Sequence, residues 1–320
     1  MTLYLTENDV AKLLTMQDAM EAVENAFRNY GNGNATIQPR QRLHMPHGTY
    51  HTMASADLET GFFGIKVYTA FRPKARFHFL LYSAENGDLL AMIEADRLGQ
   101  IRTGAAGGIA ARYLAPVVNR LKVGMYGSGW QAETQLTSLA IAKSVGSVLV
   151  YSRDRAKLEF FCKRMEEQLG CEVRPASKPE EAAEGRDVVI TATSSKTPVL
   201  LGEWLSPGVH LNVMGSNLLI KREVDDETVS RSDLIVVENR EQAKVEAGDL
   251  LAPFQSGSFR WENAVELGDL CTGNHPGRTT PHQITLFKSI GVALQDVAVA
   301  AAVYNKAKET GLGDNFHSWS

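Results

Sequence analysis

The chain has three cysteines, Cys162, Cys171 and Cys271, scattered and without Cys-x-x-Cys spacing. Such a set predicts neither a disulfide framework nor a zinc site, and it suits a reducing cytoplasm. No Lys/Arg cluster forms the basic stripe that nucleic acid requires, and the formal net charge is only −4. No apolar run approaches the roughly 20 residues that cross a bilayer. The opening Met1-Thr2-Leu3-Tyr4-Leu5-Thr6-Glu7 has no basic stretch ahead of an apolar one, so no secretion signal is expected. Internal repeats and low-complexity tracts are lacking as well. What is left is a soluble globular composition, 44% hydrophobic and 22% charged, over 320 residues. That length suits two domains better than one.

Thr6 to Asp9 and Thr15 to Asp18 carry the hydroxyl-x-x-acid spacing that closes a helix N-terminus. After the second, Ala19, Val23, Ala26 and Phe27 share one face of a helix running to Gly31-Asn32-Gly33. Segments 48–56, 61–69 and 76–84 are short, aromatic and β-branched, with turns at Gly61 and Asn86-Gly87. They predict an antiparallel sheet. The small residues of 103–115 predict a closely packed helix, stopped by Pro116. From residue 121 strands and helices alternate: strands at 121–126, 147–151, 187–192, 209–214 and 233–237, and helices at 131–145 and 155–169, ended by Gly146 and Gly170. Uniformly apolar strands in this rhythm predict an α/β fold, a Rossmann-type doubly wound parallel sheet, beside a second α+β domain. Residues 284–310 read as one long amphipathic helix that returns to the first domain. The expected division is 1–117 plus 297–320 for the first domain, and 118–296 for the Rossmann-type domain.

The segment Gly127-Ser128-Gly129-Trp130-Gln131-Ala132 lies between a strand and a helix, the context in which a Gly-x-Gly-x-x-Ala motif is informative. Gly127 permits the tight turn, Gly129 lets backbone approach a pyrophosphate, and Ala132 is small enough for the helix to sit on the sheet. Backbone N–H groups and the positive helix end then attract phosphate. After the second strand the chain reads Tyr151-Ser152-Arg153-Asp154. A carboxylate there would take ribose hydroxyls and repel a 2′-phosphate. Ser152 and Arg153 instead match a phosphate in geometry and charge, which favours NADP(H) over NAD(H). A register shift of two would restore the acid through Asp154, so NAD(H) stays possible.

Upstream lie Arg40 and Arg42, Lys66 within an apolar strand segment, and Arg102 before a run of small residues. Taken alone, these positions favour solvated cations at strand edges and helix ends. His44, His51 and Met53 read as packing or surface groups. The residues by themselves reach only as far as an oxidoreductase with an anionic substrate.

Five ordered stretches then carry a resemblance: Gly64-Ile65-Lys66-Val67, Arg102-Thr103-Gly104-Ala105-Ala106, the glycine loop, Gly208-Val209-His210-Leu211-Asn212-Val213-Met214-Gly215, and Phe287-Lys288-Ser289-Ile290-Gly291. The chain resembles the ornithine cyclodeaminase/μ-crystallin family over nearly its whole length. The resemblance implies a homodimer formed through the sheet of the first domain. It also implies a substrate-carboxylate cation at Arg40, with Arg42 the alternative, an active-site lysine at Lys66, and Arg102 near both substrate and cofactor. Cofactor contacts are implied for Thr103, Gly127, Gly129, Trp130, Gln131, Ser152, Arg153, Thr193, Met214, Lys221 and Ser289. Pocket walls are expected from loops at 40–53 and 68–78. Cyclodeaminase members carry an aspartate where this chain has Asn217. An amide cannot serve as a carboxylate base at neutral pH. Reduction of a small anionic α-imino acid, such as 1-pyrroline-2-carboxylate or 1-piperideine-2-carboxylate, is therefore the expected activity. An alanine dehydrogenase-like or cyclodeaminase activity, or non-catalytic NADPH-dependent binding of a small molecule, are the alternatives.

Overall fold

A computed structural model describes residues 2–71 and 74–316. Met1, residues 72–73 of the expected loop at 68–78, and residues 317–320 of the expected first domain lie outside the described residues. The chain divides into two units, Met1–Ala106 with Gly291–Ser320 and Gly107–Ile290. These boundaries differ from the expected 117/118 and 296/297, one falling inside a helix and the other at a glycine turn.

Unit 1 begins with β1 (Thr2–Leu5), α1 (Glu7–Leu13) and α2 (Met16–Gly31). Thr6 and Thr15 close full capping boxes with Asp9 and Asp18, and Ala19, Val23, Ala26 and Phe27 are buried. Four long antiparallel strands follow, β2 (Ala35–Met45), β3 (Gly48–Asp57), β4 (Phe62–Phe71) and β5 (Lys74–Ser83), then β6 (Leu89–Glu94) and α3 (Asp96–Leu114). The segments expected as pocket loops, 40–53 and most of 68–78, are thus largely strands. Helix α3 starts at Asp96, seven residues before the small-residue run. The β2–β3 register shifts between Gln38 and Gln41, around Pro39, which has no N–H for the ladder.

Unit 2 runs β7 (Leu121–Tyr126), α4 (Trp130–Ala142), β8 (Val145–Tyr151), α5 (Arg155–Leu169), β9 (Glu172–Pro175), β10 (Val188–Thr191) and β11 (His210–Val213). It continues with α6 (Asp226–Ser230), β12 (Leu234–Val237), α7 (Arg240–Glu246), α8 (Gly248–Ser256), β13 (Val265–Glu266), α9 (Leu267–Thr272) and β14 (Thr285–Lys288). The sheet order is β13-β12-β14-β11-β10-β7-β8-β9, with every neighbouring pair parallel. This is the doubly wound fold the rhythm predicted. Two local expectations change. Helix α4 ends at Ala142 with its cap at Lys143, so Gly146 lies inside β8 instead of stopping a helix. The stretch 284–310 is also not one helix. Its start is the buried strand β14, slotted between β11 and β12.

The chain then turns at Gly291 (φ 72°) and returns to unit 1 as α10 (Ala293–Thr310) and β15 (Asp314–Phe316). Strand β15 completes a seven-stranded sheet of order β15-β1-β6-β5-β4-β3-β2. Helix α10 packs on α2 and across β3 and β4. Covered from both sides, it is buried continuously from Ala293 to Ala301, so it is not the one-faced amphipathic helix expected.

Candidate functional site

In unit 1, Arg40, Lys66 and Arg102 are only 6%, 3% and 7% exposed, which rules out solvated surface cations. Buried charge of this kind requires a partner, and the partner is Asp296 on α10, fully buried. Its Oδ1 accepts from Lys66 Nζ at 2.8 Å and from Arg102 Nε at 3.2 Å. Arg102 Nη1 also donates to Gln295 Oε1 at 2.6 Å. The irregularity at Pro39 brings Arg40 inward, where its Nε meets Met53 Sδ at 3.2 Å and its Nη2 donates to the Gly291 carbonyl at 3.0 Å. Arg42, two residues along the strand, is half-buried and lies opposite His51.

The cluster sets its own protonation. Burial lowers Lys66 to about 8; Asp296 opposes that fall, and Arg102 and Arg40 add to it. Burial would raise the Asp296 carboxyl, but Arg102 and Lys66 outweigh it and hold it below the usual carboxylate range. His51 stacks on Tyr68 with ring centroids 4.2 Å apart, and burial with Arg42 and Arg40 lowers it to about 4. It is a neutral ring in this cationic setting. Thr103 donates its hydroxyl to the Gly99 carbonyl one turn back in α3, at 2.8 Å.

In unit 2 the chain leaves β7 to build one side of the sheet, then returns to β10 on the other. Ligands bind beyond the strand carboxyl ends at such a switch point. A cavity of about 630 Å³ lies there, lined by Gly127, Ser128, Gly129, Ser152, Arg153, Asp154 and Thr193 among others. Gly127 has φ 105°, and a Cβ on it would sit 2.5 Å from the Ala192 carbonyl oxygen. A Cβ on Gly129 would meet nothing within 4 Å. The loop therefore presents bare backbone to open space, and Gly129 caps α4 with no side-chain hydrogen bond. Its N–H groups suit a dinucleotide's phosphates. Asp154 caps α5, accepting from the Lys157 N–H at 3.2 Å and pairing with its Nζ at 3.0 Å, while still lining the cavity.

The other expected contacts are spread out. Trp130 is exposed in a neighbouring cleft with Phe160 and Arg164. Gln131, Met214, Lys221 and Ser289 are not among the residues lining the cavity. Met214 is buried at the end of β11, Asn217 and Lys221 are half-buried in the segment after it, and Ser289 donates to Glu238 Oε1 at 2.6 Å.

Sequence reasoning missed Gln295, Asp296 and Glu223. Buried Glu223 accepts from the Thr193 and Gly215 N–H groups, both at 2.6 Å, and from Thr191 Oγ1 at 2.8 Å. It ties the loop after β10 to the loop after β11. Burial raises its carboxyl, with Lys288 opposing. The only available signal was an acid inside an apolar stretch, and Asp296 among Val, Ala and Leu gave that signal.

The ornithine cyclodeaminase/mu-crystallin family model matches residues 1–311. The alanine dehydrogenase of Archaeoglobus fulgidus is 35% identical over 98% of this chain and 97% of that protein. The structure of Thermococcus litoralis Delta(1)-pyrroline-2-carboxylate reductase in complex with NADH and L-proline superposes with a TM-score of 0.93 at 32% identity, covering 98% of this chain and all of that one. An archaeal alanine dehydrogenase dimer with bound NAD superposes with a TM-score of 0.93 at 34% identity, covering 99% of both chains. A buried cationic cluster in one unit, a glycine-lined cavity at the switch point of the other, and a family model matching residues 1–311 lead to one assignment: the chain belongs to the ornithine cyclodeaminase/mu-crystallin family.

Proposed function

We propose that this chain is a nicotinamide-dependent oxidoreductase that reduces a small α-imino acid, a cyclic ketimine such as 1-pyrroline-2-carboxylate or 1-piperideine-2-carboxylate. The observation that carries the reading is the buried cationic cluster in which Lys66 and Arg102 share the Asp296 carboxylate and Arg40 is tied to the same segment at Gly291, a setting that suits an anionic substrate. Arg40 is assigned the substrate carboxylate, with Arg102 in support. Lys66 Nζ has a single hydrogen-bond acceptor among the described residues, Asp296 Oδ1, so its other N–H groups can face a substrate. When bound, the reduced cofactor supplies a hydride to the imine carbon. Lys66 gives the nitrogen its proton, and the C=N bond becomes CH–NH; water then reprotonates Lys66. Asn217 is assigned a hydrogen-bonding role toward substrate, without base chemistry.

For the cofactor we assign Gly127, Gly129 and Thr193 to the phosphates and Ser152 and Arg153 to a 2′-phosphate, favouring NADP(H), with NAD(H) usable. Thr103, Trp130, Gln131, Met214, Lys221 and Ser289 complete the proposed contacts. Asp154 supports this choice because its carboxylate is engaged as a helix cap. We also propose a homodimer, the state of the archaeal relative.

The test is NADPH and NADH oxidation with pyrroline and piperideine carboxylates, and with pyruvate plus ammonia or methylamine. Rapid turnover of the cyclic imines is expected. The 35% identity to an alanine dehydrogenase favours a second reading, the same chemistry on the imine of pyruvate and ammonia. Turnover confined to pyruvate with ammonia would establish it. Absence of oxidation across the whole panel would remove both readings.

A further inference from the structure

We infer that Asp296 is the positioning residue of the proposed reaction: it holds the Lys66 ammonium where it gives its proton and locks Arg102 to the same carboxylate oxygen. The inference rests on Lys66 being the proton donor proposed above. The three cations come from three different elements, Arg40 on β2, Lys66 on β4 and Arg102 on α3, and each is tied to one short segment, 291–296. Arg40 donates to the Gly291 carbonyl, Arg102 to Gln295 and Asp296, and Lys66 to Asp296. Two glycines keep room for these groups. A Cβ on Gly99 would sit 2.9 Å from Lys66 Nζ, and one on Gly291 would sit 2.6 Å from Arg102 Nη1.

Without Asp296, Lys66 would face Arg102 and Arg40 with no counter-charge of its own among the described residues. A buried ammonium in that setting gives up its proton or moves away. Burial, Arg102 and Arg40 all favour the neutral amine, and Asp296 is the group that opposes them. The Phe77 ring, 5.4 Å from Nζ, is the other stabilising neighbour and is the weaker one. The nearby imidazole of His51 is neutral and adds no charge. A carboxylate is therefore placed where it preserves the acid form of Lys66 while engaging, among the described residues, only one of its N–H groups.

The test is Asp296→Asn, which keeps the shape and removes the charge, read by the pH dependence of kcat for imine reduction and by KM. The alkaline limb should move to lower pH by about 1 to 3 pH units, the effect of losing an adjacent opposite charge. Activity should recover on the acid side. A uniform drop in kcat with the limb in place would overturn the inference. An independent readout is the pH dependence of Lys66 acylation in the intact protein, followed by mass spectrometry. Its midpoint should shift in the same direction whether or not any imine is turned over, and an unmoved midpoint overturns the inference even if the enzymatic reading fails. If Asp296→Asn does not fold, Asp296→Glu serves. It keeps the charge but displaces it, so kcat should fall at least about tenfold with the limb in place; wild-type kcat would overturn the inference.

Discussion

At the scale of single residues, chemistry is assigned to Lys66 and cofactor choice to Arg153. Lys66→Met should lower turnover by about a hundredfold, the size of a lost acid–base contribution; steady-state rates near wild type would remove Lys66 from the mechanism. In the unaltered protein, reduction should weaken as pH rises through about 8, because Lys66 is lowered to that value and its proton is lost above it. A rate flat from pH 7 to 9.5 would contradict this. Arg153→Ala should raise the KM for NADPH about tenfold or more and leave that for NADH little changed. Equal effects on the two cofactors would shift the preference to another group. Lys66 and Arg102 stood out only for lying within an apolar strand segment and before a run of small residues; taken alone they read as solvated cations, and their buried partner was not legible. Asp296 lies 230 positions from Lys66, and nothing in local spacing links the two.

At the scale of elements, the glycine loop and the strands β7, β10, β11 and β12 were legible because fully buried strands read as apolar runs. Strand β14 was not. Its sequence, Thr285-Leu286-Phe287-Lys288, is polar at both ends, and each end is satisfied only in the fold. Thr285 Oγ1 lies 3.0 Å from His210 Nδ1, and Lys288 Nζ lies 2.8 Å from Asp249 Oδ2. The seven-residue span from Thr285 to Gly291 therefore mimicked the start of a helix. Gly291 also has work beyond its turn. Gly291→Ala should cost about 1–3 kcal/mol, as expected for a side chain held at positive φ. It should also raise KM for the imino acid by displacing Arg102, whose Nη1 it would crowd. Denaturant midpoints and kinetics would show both; an unchanged KM would separate Arg102 from substrate binding.

At the scale of the whole molecule, acid should weaken the fold through His210. Burial lowers its imidazole to about 3, Arg278 adding to the fall, although Thr285 and Asn212 hydrogen-bond the ring. The depressed value means that the neutral form belongs to the folded state. Its stabilisation is complete above the unfolded value near 6.5 and is lost as pH falls below it, at about 1 kcal/mol per pH unit. Denaturant midpoints should fall from pH 7 to pH 5, and His210→Gln should shrink that difference; an identical slope would exclude His210. Synthesis order adds a further consequence. The residues of unit 1 up to Ala106 leave the ribosome before unit 2, yet Asp296 and β15 come only after residue 290. Two buried cations and a sheet edge therefore wait for their partners through the making of a whole domain, on the order of 10–40 s at roughly 5–20 residues per second. The unit begun first is finished last, and released chains truncated after residue 290 should hold a protease-resistant unit 2 beside an open unit 1.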